Sequence, residues 1–191
     1  MVQLIGGLGS IFAVLVGGLI AVPVAASAPP PPKKEPVKKP GVLHVYDAGS
    51  LFTDGAIDKA KSAMGKTQFE RESSLTVETF ATLPKDKTPP AKGEEAKFFE
   101  AWAKAEAAGD KAKGVYVLVC RSPGYVTVIC DKATRDRGFA VENEQKLRDL
   151  LLASFKEAAK ETDDKKKFEA RDKALSAAVD YVGGVLKGTA K

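Results

Sequence analysis

Histidine occurs once and cysteine twice in the 191 residues. A zinc site built from Cys and His therefore lacks ligands, and carboxylates would have to complete it. His44 is accompanied by no Ser or Cys nucleophile motif, and no glycine pair sits in a P-loop or dinucleotide-binding fingerprint. Basic side chains are not interleaved with aromatics. The formal charge is +5, and +3 of it comes from Lys33, Lys34, Lys38 and Lys39 against Glu35. The globular remainder is close to neutral, which argues against a nucleic-acid-binding domain.

Charge is also missing from residues 1–28, where no ionisable side chain occurs. Two readings compete for this run. It ends in Ala26-Ser27-Ala28, a small-x-small pattern that suits a cleaved signal peptide. It also has the ~20 apolar residues that a membrane-spanning anchor needs. No Lys or Arg precedes it, and a cut after Ala28 would leave Pro29 first, which favours the anchor. The lysines that follow favour a cytoplasmic domain by the positive-inside rule. On balance the expectation is a cell-envelope protein, exported, membrane-anchored or secreted. Residues 29–40, rich in Pro and Lys, read as an extended spacer reaching ~37 Å at ~3.1 Å per residue. Residues 41–191 are long enough for one core.

The best-defined element of that domain is Gly114 to Cys130. Two β-rich runs flank the turn signal Ser122-Pro123-Gly124. Val115, Val117 and Val119 alternate with Tyr116, Leu118 and Cys120, so both faces are apolar. The hairpin is expected in the middle of a sheet covered on both sides. Pairing about this turn sets Cys120 near Val126 and Cys130 near Tyr116. The thiols then lie roughly four residues apart, about 13 Å at the usual rise, too far for a disulfide. Two free, buried, inert thiols follow.

Around the hairpin, His44-Val45-Tyr46 is a short strand. A helix over about 54–64, capped by Thr53 or Asp54, closes at Gly65. Leu75–Leu83 alternates as a strand that is half covered or near an edge. Pro84–Pro90 is a loop. Glu94–Ala108 is a helix with Phe98, Phe99, Trp102 and Ala105 on its apolar face. Residues 131–138 form a charged loop. A helix over about 140–159 carries Leu147, Leu150, Leu151 and Phe155. A last helix, capped by Thr162 or Asp163, presents Phe168, Leu175, Ala178, Val179 and Val182 and ends at Gly183-Gly184. The order predicts an α/β/α sandwich, a mixed sheet of about four strands with helices on both faces.

Val45-Tyr46-Asp47-Ala48-Gly49-Ser50-Leu51, the helix bearing Phe98, Phe99 and Trp102, and Asp110-Lys111-Ala112-Lys113-Gly114 before Val115–Val119 carry a resemblance. Over about residues 43–184 the chain resembles the TPM domain family. The first segment is similar to the family's strand-to-helix start. The last is similar to its Asp-Asn-Gly turn, with residues inserted and the Asn absent. Where members usually have a Gly-rich turn after Ile129, this chain has Cys130-Asp131-Lys132. The resemblance implies an α/β sandwich, exported or membrane-attached, serving a membrane complex. Some members bind divalent ions and show phosphatase-like activity.

Metal-dependent phosphate hydrolysis needs clustered carboxylates to hold Ca2+ or Mg2+ through oxygen. Asp47 ends a strand, Asp110 precedes the central strand, and Asp131 and Asp136 follow the hairpin. Asp47 also matches the family position. Read structurally, the same residues are turn and cap residues. Two functions follow from these readings. One is a non-catalytic accessory module that binds a protein partner, and a membrane through its N-terminal segment. The other is a weak metal-dependent phosphatase using Asp47 with Asp110 or Asp131.

Overall fold

The computed structural model describes residues 37–188. The signal-or-anchor segment and most of the spacer lie outside these residues. Eleven elements follow in order: β1 (Lys39–Pro40), β2 (Val42–Asp47), α1 (Asp54–Lys66), β3 (Gln68–Phe69), β4 (Ser74–Thr82), α2 (Glu95–Gly109), β5 (Val115–Ser122), β6 (Tyr125–Cys130), α3 (Lys132–Arg135), α4 (Val141–Lys160) and α5 (Asp164–Leu186). The main sheet has the order β2-β4-β5-β6. β2, β4 and β5 are parallel, and β6 is antiparallel to β5. β1 and β3 form a separate short antiparallel pair. The mixed four-stranded sheet with helices on both faces is an α/β sandwich, as the element order predicts.

The alternation of side chains along β5 builds two cores. Val115, Val117 and Val119 face a large cluster with Leu75 and Val77 of β4, Met64 of α1, Leu147 and Leu151 of α4, and Leu175 and Val179 of α5. Tyr116, Leu118 and Cys120 face a smaller cluster with Phe99, Trp102 and Ala103 of α2. Within it Phe99 stacks on Tyr125 at 4.1 Å between ring centroids, 8° from coplanar. Burying a ring of this size stabilises by about 1.5–3 kcal/mol. Ala105, expected on the α2 core face, is exposed, and Ala103 and Ala107 pack there instead.

Further features differ from the sequence reading, and Lys39–Pro40, read as spacer, pair with β3. β5 is central, but β6 is an edge strand, and β4, expected near an edge, is interior. The turn uses only Pro123 and Gly124, the latter at φ +87°. That tightening moves the pairing by one residue, so Cys120 faces Tyr125 and Cys130 faces Val115. Both thiols are free, and Cys130 is only half-buried. α5 runs through Gly183 and Gly184 to Leu186. Val182 and Val185 on either side are buried, and Gly183 lies against Thr67 at the end of α1, so packing offsets the glycine penalty. The charged loop after β6 contains the single turn α3, capped by Asp131.

Candidate functional site

The predicted carboxylates sit at two opposite ends of the sheet. Asp47 closes β2 at the end where the parallel strands finish. Its Oδ1 accepts the Leu51 amide at 3.0 Å and its Oδ2 the Phe52 amide at 2.9 Å. The Thr79 hydroxyl donates to Oδ1 as well. Gly49 closes the turn by donating to Thr79 Oγ1 at 3.0 Å, and a Cβ there would stand 2.8 Å from that oxygen. Thr53 then caps α1, and its own amide and hydroxyl donate to Asp172 of α5 at 3.0 and 2.7 Å. Asp47 is thus the organiser of a strand-to-helix turn, with both oxygens engaged.

Asp131 lies at the other end. It accepts the Gly114 amide at 2.7 Å and the Thr134 amide at 2.6 Å. Partial burial alone would raise its pKa, but these two amides, the Thr134 hydroxyl and nearby Arg137 more than compensate and hold it below its ordinary value. Asp136 pairs with Lys132 on the surface.

Strand register measures the gap. Asp47 is level with Thr79, and Thr79 with Val119. Asp131 donates its amide to the Gly114 carbonyl, five positions earlier on β5. At ~3.3 Å per residue that is about 16 Å, far beyond the reach of two carboxylates to one ion with ligands at ~2.3–2.6 Å. Among the described residues no group of three or more His, Cys, Asp or Glu side chains is placed to hold a metal ion. Cys130 is equally unsuited to attack. Burial, then the adjacent Glu144 carboxylate, push its thiol up to about 12.

Asp110 belongs to a different group, which the sequence reading did not find. It ends α2, and its charge acts on Glu78 and Tyr116 in the middle of the sheet. These two side chains occupy the α2 face of β4 and β5, where the Tyr116 hydroxyl donates to the Glu78 carboxylate. Glu106 of α2 adds a third carboxylate nearby. It accepts the Trp102 indole N–H at 2.7 Å and lies 3.7 Å from Lys87, whose ammonium stands 5.5 Å from the Trp102 ring. Burial, and then repulsion from Glu106 and Asp110, raise the Glu78 pKa against the lowering effect of the Tyr116 bond. Tyr116 is also raised, first by burial and then by Glu78.

This acidic group borders an open half of the sheet. α2 packs on β5 and β6. On the same face of β2, Val42 is 41% and Tyr46 49% exposed, and His44 between them is exposed too. Tyr46 is the register partner of Glu78, and His44 of Thr76. A row of Val42, His44 and Tyr46 therefore runs beside Glu78, and among the described residues no helix covers it. The signal for it was the even-numbered series Val42, His44 and Tyr46 on β2, legible only once the strand order is known.

No protein-family model matches the chain, and comparison with curated proteins finds no match. The functional reading therefore rests on the geometry and on the residue patterns already described.

The raised Glu78 pKa fixes the sign of a pH effect. A group whose folded pKa is raised contributes stability below its unfolded value, lost as pH rises through the folded value. Glu78→Gln keeps an acceptor for Tyr116 and removes the charge that Glu106 and Asp110 repel. The expected result is a higher urea midpoint for the variant at pH 7. That advantage shrinks to nothing as pH falls below the ordinary glutamate value of 4.5. Chemical denaturation of both proteins at several pH values reads it directly, and an advantage that persists at low pH contradicts the assignment.

Proposed function

We propose that this chain is an envelope-facing TPM-like module, exported or membrane-tethered, that binds a protein partner in support of a membrane complex. The observation that carries the reading is the β2 strip, which no described helix covers, with Tyr46 half exposed near the end of the strand. Exposed aromatics on a rigid strand are favoured contact residues, because they offer large area with few torsions to freeze. The neighbouring carboxylates Glu78, Glu106 and Asp110 give the strip an acidic border, so the partner surface it suits is apolar with a basic rim. The apolar N-terminal run and the Pro/Lys spacer support placement at a membrane.

Among the described residues no helix is long and apolar enough to cross a membrane. Any spanning would be the work of the N-terminal segment, outside those residues.

The test compares capture by the full chain and by Tyr46→Ala from solubilised envelope. Tyr46→Ala is a surface change expected to alter stability by less than about 0.5 kcal/mol. If Tyr46 anchors the partner, the variant loses ten-fold or more in affinity for the captured protein, against an unchanged melting temperature. Equal capture by both proteins contradicts docking on this strip.

A further inference from the structure

At the end of the sheet where the parallel strands finish, on the face opposite the β2 strip, a cavity of about 190 Å³ opens between β5, β6, α4 and α5. Its walls are apolar: Leu51, Val119, Val126, Leu152 and Phe155. Leu51, Val119 and Val126 are buried, and Phe155 and Leu152 are half-buried, so the floor is apolar and the α4 side is open. Three cations share the lining: Arg121 from the end of β5, Lys156 from α4 and Arg171 from α5. Among the described residues no carboxylate lines it. Arg121 and Lys156 are exposed, which places their charges at the mouth.

The electrostatics of this mouth are unbalanced. None of the three cations takes part in an ion pair among the described residues. The Arg171 guanidinium is partly buried and is repelled by Arg121, and the attraction of Asp164 and Asp47 only partly offsets both effects. The ring of Phe168 lies 5.7 Å from the guanidinium carbon. Two guanidinium groups and an ammonium around an apolar cavity favour an anion, and arginines bind carboxylates through paired, charge-assisted hydrogen bonds. In open α/β sheets, ligands commonly sit outside the carboxyl ends of the parallel strands, where this mouth lies.

We propose that this cavity binds the free anion of a medium-chain carboxylic acid, its tail against Val119, Val126 and Phe155 and its head group held by Arg121, Lys156 and Arg171. The size limits the tail. An apolar cavity of about 150 Å³ takes a molecule such as benzene, so this one suits a chain of about eight carbons. The site is on the other side of the sheet from the partner strip and stands independently of it.

The experiment is calorimetric titration of the full chain with sodium hexanoate, octanoate and decanoate, and with 1-octanol as the uncharged control. The expected result is one saturable site per chain. Affinity rises about fourfold per methylene up to octanoate, in line with burial of about 0.8 kcal/mol per methylene, and levels off at decanoate. Octanol binds at least ten-fold more weakly than octanoate. Arg121→Glu, a change at an exposed position, weakens octanoate at least ten-fold while the melting temperature holds. Arg171→Gln does the same through a second element. Octanol binding as tightly as octanoate, or octanoate binding unchanged in both variants, overturns the proposal. So does absence of heat up to ten millimolar. Octanoate displaced by phosphatidylglycerol vesicles but not by phosphatidylcholine vesicles overturns the free acid in favour of a bilayer lipid.

Discussion

Gly114→Ala lowers the stability of the domain by roughly 4 kcal/mol, at the upper end of what single substitutions do. Gly114 has φ +83°, and a Cβ at that position would stand 2.1 Å from the Ser74 carbonyl oxygen and 2.9 Å from its carbon. The left-handed conformation alone costs a non-glycine residue roughly 1–2 kcal/mol. The clash is with backbone, so no rotamer change relieves it, and β4 and β5 must part where their pairing begins. Their separation disturbs two further contacts, the Gly114 amide to Asp131 Oδ2 at 2.7 Å and the Asp131 amide to the Gly114 carbonyl at 3.1 Å. For a domain of this size each kcal/mol moves the melting temperature by about 2–4 °C, so a fall of about 8–16 °C is expected by circular dichroism. Gly65→Ala is the control. Gly65 lies inside α1, where an added Cβ meets nothing within 4 Å. The same chemical change there raises stability by about 0.5–1 kcal/mol. A Gly114→Ala protein that melts with the wild type shows that the chain can relieve this contact.

The second large effect is expected from Asp47→Ala. Its carboxylate satisfies the amides of Leu51 and Phe52 and the hydroxyl of Thr79. The side chains of Leu51 and Phe52 are 2% and 6% exposed, so this segment cannot turn to water without leaving the core. Each buried donor left unpaired costs about 1–3 kcal/mol, and a total of about 3–5 kcal/mol follows for the variant. Asp47→Asn retains one acceptor oxygen but presents an NH2 group to the other donors, so it falls between the two. Urea unfolding with an unchanged dependence on denaturant gives the comparison. If alanine is tolerated within 1 kcal/mol of the wild type, the bonds drawn at this turn are not those that hold it. Since both oxygens are engaged, any role for Asp47 as a ligand would compete with this one.

Local patterns in the sequence make most of the fold legible. Alternation along 115–120 marks a strand buried on both faces, and its two sets of side chains lie in two separate cores. Thr53 or Asp54, and Thr162 or Asp163, are cap candidates because a short polar side chain precedes a periodic run; Thr53 and Asp163 are the caps, each accepting an amide three residues on. What escaped depended on contacts distant in sequence. The glycine pair at 183–184 reads as a stop, and only the packing of α5 on α1 carries the helix past it. The one-residue shift of β6 depends on how tightly Pro123-Gly124 turns, which composition does not reveal. Asp47, Asp110 and Asp131 are each at strand or helix ends as their neighbours suggest. Whether ends meet is a question of strand order, and two parallel pairings put Asp47 far from Asp131. Glu78 passed unnoticed for the same reason: one carboxylate in an alternating strand looks solvent-facing until Tyr116 and Asp110 are set beside it.

The strand order also bears on time. β5 and β6 are joined by two residues and can close as soon as Cys130 has been made, whereas β2 must find β4 across α1, and β4 must find β5 across α2. Closing long loops delays the parallel pairings relative to the hairpin. During synthesis β2 therefore emerges first yet waits longest for a neighbour. For that interval its alternating apolar residues Leu43 and Val45 are available to other chains, and α1 beside it is the element nearest in sequence to shield them.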